Sequence, residues 1–131
     1  MNIAANNRLV FSEEQGMILD SAREFCRDKS AISAVRALLE SENGFDEAVW
    51  QQMVELGWLG LAIPEEFGGS GLGIGATVPL AESMGRYLLA TPFFSTTLAA
   101  QLFARAGTSA QKNHWLPLLA NGTRASLALL D

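Results

Sequence analysis

Few residues of this 131-residue chain have types and spacing suited to chemistry, and most of them read better as structure. Gly71-Leu72-Gly73-Ile74-Gly75-Ala76 spells the G-x-G-x-x-G/A pattern by which a dinucleotide's pyrophosphate approaches a bare backbone. That pattern needs a strand just before it and an acidic residue about 20 positions on. Here Pro64 to Gly69 intervene, and no Asp or Glu lies between Glu82 and Asp131. No lysine follows the glycines, so a phosphate-cradling P-loop is excluded as well. Glu65 and Glu66 are adjacent carboxylates, but neighbours in an extended stretch point to opposite sides and cannot flank a substrate as an acid/base pair. His114, the single histidine, has no cysteine or aspartate near it to complete a metal site or triad. Cys26 falls on an apolar helical stripe, where a thiol behaves as a small hydrophobe with no lowered pKa. Trp50, Trp58 and Trp115 read as core rather than as ligand platforms. Phe93-Phe94 beside Thr96-Thr97 is the remaining group, an aromatic and small-polar wall of the kind a pocket for an apolar ligand needs.

The elements that hold these residues are helices. Phe11-Ser12-Glu13-Glu14-Gln15 opens with a capping box, and Ile18, Leu19, Ala22, Phe25 and Cys26 then recur at helical spacing. Ile32, Val35, Leu38 and Leu39 repeat that spacing over a shorter stretch, ended by Ser41 to Gly44. Asp46 reads as a cap, with Phe45 placed to staple against Trp50, a stripe of Val49, Trp50, Met53 and Leu56, and Gly57 as the left-handed residue past the end. Trp58 to Pro64 is expected to be a buried extended connection, and the glycines after it a tight loop. Leu80, Ala81, Met84 and Leu88 resume helical spacing. Thr91-Pro92 reads as cap and first helical residue of the next helix, whose stripe is Phe94, Leu98, Leu102 and Ala106. Ser109 is expected to cap a last helix running to Asn121-Gly122, with Pro117 bending it. Ala125 to Leu130 alone looks strand-like, and a single strand has no partner in the chain. The fold class expected is therefore all-α, a bundle of five to six helices with a short orphan strand at the C-terminus.

Composition agrees with one globular unit around a single core: 49% of residues are apolar and 18% charged. Nine basic against fourteen acidic side chains give 9 − 14 = −5, so no nucleic-acid partner is expected. One cysteine fits a reducing compartment. Met1 to Asn7 has neither a cationic patch nor an apolar run after it, so the expectation is a cytoplasmic protein without membrane insertion.

The run from Leu56-Gly57 through Gly60, Pro64-Glu65, Gly68-Gly69 and Gly71-Leu72 resembles the signature L-G-x-x-G-x-x-x-P-E-x-x-G-G-x-G-L of the acyl-CoA dehydrogenase family's N-terminal helical domain, in its bacterial form. Phe11 to Gln15, Glu82 to Gly85, Ala106 to Lys112 and Leu116 to Gly122 resemble further family segments in the same order. The resemblance implies a helical domain over 1–124 and, from 125 to 131, the start of a middle β-domain. It further implies an FAD-dependent oxidoreductase that removes an acyl-CoA α-proton with a glutamate and delivers the β-hydride to the flavin, in a homo- or hetero-oligomer. The glutamate and most flavin contacts belong to other domains, so neither a catalytic nor a cofactor residue is assigned in this chain, and no cofactor or activity is expected of it alone. Leu130-Asp131 depart from the family's T-E-P element. By the same resemblance, Phe94, Thr97, Leu98 and Leu102 would line the acyl tail; helical spacing also allows them simply to fill a helix–helix seam. The alternative function is a stand-alone helical module that binds a partner subunit or self-associates through an exposed apolar face.

Overall fold

The structure is a computed structural model describing residues 10–129. Met1 to Asn7, on which the expected absence of a leader rests, and Leu130-Asp131 lie outside the described residues. Among the described residues six α-helices form, α1 (Glu13–Lys29), α2 (Ile32–Leu38), α3 (Glu47–Glu55), α4 (Val78–Tyr87), α5 (Phe93–Ala106) and α6 (Ser109–Ala120), with 3₁₀ turns at Trp58–Gly60, Glu65–Phe67 and Ile74–Thr77. Helix α1 packs along α4, and α5 packs along α6.

Helix α1 starts where its capping box demands. The Gln15 amide donates to Ser12 Oγ at 3.2 Å, and the Ser12 amide donates to Gln15 Oε1 at 3.0 Å. Gln15 has a second task, because its Nε2 donates to the Gly75 carbonyl at 3.0 Å and ties the helix start to the far end of the glycine loop. Glu13 and Glu14 in the first turn and Arg27 and Lys29 in the last complement the helix dipole. In α3, Asp46 Oδ1 accepts from the amides of Ala48 and Val49, and Val49, Trp50 and Met53 are buried, whereas Leu56 of the expected stripe is exposed. Gly57 takes φ 75° just past the helix.

Helix α2 forms but buries none of its residues, leaving Ile32 and, just past its end, Leu39 exposed. Seven residues without a side-chain cap make a short helix that sits on the surface.

The segment from Trp58 to Pro64 is buried as expected but is coiled rather than extended. The reason lies in its backbone pairing with the glycine loop. Ser70, Gly71 and Leu72 donate their amides to the carbonyls of Gly60, Ile63 and Leu61, each at 2.9 Å. A Cβ on Gly69 would stand 2.0 Å from the Ile63 carbonyl oxygen. The glycines thus let one stretch of backbone lie directly on another.

Further along, α5 begins at Phe93 with Pro92 as its cap residue, one position later than expected, and the Phe93 amide reaches Thr91 Oγ1 at 3.4 Å. Thr108, not Ser109, caps α6, because the reciprocal pairing with Gln111 needs the hydroxyl three residues before the glutamine. The orphan strand is not seen among the described residues, where Thr123 to Leu129 is irregular. A strand needs a ladder, and here the Thr96 hydroxyl takes that place, accepting from the Ala125 amide at 3.2 Å and facing its carbonyl at 3.4 Å.

The expected single core is split into two clusters. The larger gathers Ala22 and Cys26 of α1, Val49, Trp50 and Met53 of α3, Trp58, Leu80 and Phe93. The smaller joins Ile63 to Ala100, Leu116 and Leu119 between α5 and α6. The Trp50 indole donates to the Gly122 carbonyl at 3.1 Å, linking α3 to the chain beyond α6.

Candidate functional site

A cavity of about 290 Å³ opens between the start of α4 and the start of α5, lined by Ile74, Thr77, Val78, Ala81, Glu82, Phe93, Phe94, Thr97 and Leu98. Its walls are built by two helix faces turned away from the core. On α5, Phe93, Thr96 and Ala100 point inward and are almost fully buried, while Phe94, Leu98 and Leu102 are 63%, 38% and 52% exposed. The seam between α5 and α6 is filled by Ala100, Phe103 and Ala104 against Leu116 and Leu119. The exposed stripe therefore does not fill that seam, although its spacing is helical.

Three of the four residues expected to meet an acyl tail, Phe94, Thr97 and Leu98, line this cavity together, while Leu102 is one turn beyond it on the same face. Reasoning from sequence missed the opposite wall. Ile74 reads as part of the glycine loop, and Val78, Ala81 and Glu82 lie off the inward-facing positions Leu80 and Ser83 of α4. The available signal was Ile74 and Val78, two apolar residues four apart, which the structure leaves 42% and 40% exposed.

The polar groups of the cavity are few. Thr77 Oγ1 donates to the Ile74 carbonyl at 2.7 Å. Thr97, 9% exposed, makes no side-chain hydrogen bond among the described residues. Glu82 sits at the rim, 3.7 Å from the Arg23 guanidinium of α1, with both side chains partly exposed. A single carboxylate and no cationic side chain among the lining residues is a poor match for a pyrophosphate, so these residues do not fit FAD.

The other candidates stay apart from the cavity. Glu65 and Glu66 are exposed in the 3₁₀ turn after Pro64. His114 is exposed and touches Trp115 edge-on, with ring centroids 4.7 Å apart. Trp50 and Trp58 are core as expected, but Trp115 is 39% exposed and stacks on Phe103. Cys26 is fully buried, and burial pushes its thiol up from 9.0 to about 11, so it carries no thiolate at neutral pH. Among the described residues no three His, Cys, Asp or Glu side chains gather to hold a metal, and no helix is long and apolar enough to cross a membrane.

Fold and site together define an all-helical domain that presents one apolar, partly open wall to its surroundings. Comparison with known proteins makes this specific. The family model for the acyl-CoA dehydrogenase N-terminal domain matches residues 12–123. The chain is 34% identical over 121 residues to acyl-CoA dehydrogenase IpdE2 of Mycobacterium tuberculosis, covering 91% of this chain and 37% of that protein. It is 38% identical over 112 residues to (2S)-methylsuccinyl-CoA dehydrogenase of Cereibacter sphaeroides, covering 84% of this chain and 20% of that protein. Among solved structures, the Tcur3481-Tcur3483 steroid ACAD superposes with a TM-score of 0.80 at 36% identity, over 86% of this chain and 31% of that one. The chain belongs to the acyl-CoA dehydrogenase N-terminal domain family. It spans roughly a third of the length of the first of these relatives, 37%.

Proposed function

We propose that this chain serves an FAD-dependent acyl-CoA dehydrogenase of fatty acid metabolism in the cytoplasm, and that its part is one wall of the acyl pocket. In this reading the reaction is α,β-dehydrogenation of an acyl-CoA thioester to the enoyl-CoA, with FAD as the hydride acceptor supplied from outside these residues. Residues 1–124 are the helical domain, and 125–131 begin a β-domain. Phe94, Thr97 and Leu98 contact the acyl tail and exclude water from it, and Leu102 extends the same face. The observation that supports this is the outward-turned α5 stripe, which leaves large apolar side chains exposed around a cavity instead of burying them. The protein works as an oligomer in this reading, as the named Tcur3481-Tcur3483 pair among its structural neighbours suggests.

The test is a titration of the 131-residue chain with octanoyl-CoA and with free CoA, followed by methyl NMR. Ile74, Val78 and Leu98 methyl signals are expected to shift with the acyl compound and not with CoA alone. Shifts confined to other faces would refute the acyl-wall assignment. A second reading, a stand-alone interaction module, draws on α2 and its C-cap, where Ile32 and Leu39 are exposed. Sedimentation of the chain checks it, and a clean monomer at high concentration would count against it.

A further inference from the structure

We infer that the cavity discriminates among acyl tails by polarity, and that Thr97 selects a tail carrying a neutral oxygen, a hydroxyl or a ketone, over a plain hydrocarbon. This inference rests on the acyl-wall reading and adds the class of tail. It starts from the hydrogen-bond inventory of the site. Three threonines stand in or beside the cavity. Thr77 has spent its proton on the Ile74 carbonyl, and Thr96 is engaged on both sides by Ala125. Thr97 is 9% exposed, lines the cavity and makes no side-chain hydrogen bond among the described residues. Its near neighbour on the helix, Ser95, shows the usual alternative, since that hydroxyl turns back to the Pro92 carbonyl at 3.2 Å.

Although Thr97 as a residue is nine-tenths buried, its unbonded hydroxyl is not among the fully buried polar atoms, so it keeps access to water with one donor and two acceptor sites to be matched. A hydrocarbon tail pressed against it completes its desolvation without replacing the lost bonds, whereas an oxygen on the tail restores one. The charge of that oxygen is limited by Glu82, the one ionisable group among the lining residues. Its carboxylate is held only at 3.7 Å from Arg23, too long for a charge-assisted hydrogen bond, so it remains a partly compensated anion at the rim. A carboxylate-ended tail meets repulsion there, and a hydroxyl or ketone does not.

The test compares octanoyl-CoA, 7-hydroxyoctanoyl-CoA, 7-oxooctanoyl-CoA and 7-carboxyheptanoyl-CoA on the 131-residue chain, with Kd read from the Ile74, Val78 and Leu98 methyl shifts. The quantity of interest is the ratio of Kd for the oxygenated tail to Kd for the plain tail, measured in wild type, Thr97→Val and Thr97→Ser. For at least one of the two neutral oxygenated tails, Thr97→Val is expected to raise that ratio about fivefold, the worth of one hydrogen bond. Thr97→Ser, which keeps the hydroxyl, is expected to restore it. Glu82→Gln is expected to tighten the carboxylate-ended tail several-fold while leaving the hydrocarbon tail unchanged. Far-UV circular dichroism establishes that each variant is folded. Ratios unchanged by Thr97→Val, with the methyl shifts retained, would overturn the selection by Thr97 and leave the acyl wall standing. Methyl signals that respond to none of the four tails would overturn the wall itself, and this inference with it.

Discussion

The glycine loop and the outer face of α5 invite opposite misreadings. Gly71 to Ala76 has the letters of a ligand cradle, yet its loop is spent internally, with the Ser70, Gly71 and Leu72 amides bonded to the preceding backbone at 2.9 Å. Phe94, Leu98 and Leu102 have the spacing of a buried stripe, yet they face outward around a cavity. Glycine spacing therefore reports close approach without saying to what, and apolar periodicity reports a face without saying which side of it is the interior. In both regions the decision is made by the segment packed alongside, Ile63 for the loop and α6 for the helix.

The contrast can be broken at its strongest point by Gly69→Ala. The added methyl would meet the Ile63 carbonyl oxygen at 2.0 Å, against backbone that cannot swing away, so a loss of about 4 kcal/mol or failure to fold is expected in urea denaturation. A loss below about 1 kcal/mol would show that the loop is not packed on itself. Next in size is a pair of adjacent phenylalanines. Phe93→Ala should cost about 3–5 kcal/mol, because Phe93 is 1% exposed, whereas Phe94→Ala, at 63% exposed, should stay within about 0.5 kcal/mol. Equal costs in denaturant melts would place both faces of α5 inside.

Cys26 offers a stripe that did turn inward. Its folded pKa, raised to about 11 from 9.0, means that between those values the unfolded chain loses the proton first, so stability is complete below about pH 9 and falls as pH rises toward 11. The loss should reach roughly 2 kcal/mol in melts from pH 8 to 11, and Cys26→Ala should flatten that part of the profile. The smallest effect has the opposite sign to Gly69. Gly85 lies within α4 with no positive φ, and a methyl added there would meet nothing within 4 Å, so Gly85→Ala should stabilise by up to about 1 kcal/mol in thermal or urea melts.

Much of the fold is legible because it is written in local chemistry. Ser12 with Gln15 and Asp46 with its two amides fix helix starts within four residues of sequence, and Gly57 fixes an end. The start of α6 slips by one because Thr108 and Ser109 are both competent caps, and only the reciprocal bond from Gln111 chooses between them. The strand expected from Ala125 is not seen among the described residues because β-propensity is silent about partners, and the partner present in these residues is a threonine hydroxyl. Half of the candidate site is legible for a related reason. Phe94, Thr97 and Leu98 lie on one helix, while Ile74, Val78 and Glu82 meet them only across the cavity between the starts of α4 and α5, a juxtaposition that no local pattern encodes.

Gln15 has a consequence that reaches across the chain. Its amide group is used at both ends, the oxygen by Ser12 at the start of α1 and the nitrogen by Gly75, whose neighbour Ile74 lines the cavity. Fraying of the first turn of α1 therefore releases the peptide unit next to cavity-lining Ile74, 60 positions away in sequence. Hydrogen exchange at these two places should rise and fall together, making the opening of an outer helix turn and the loosening of the pocket a single local-unfolding event.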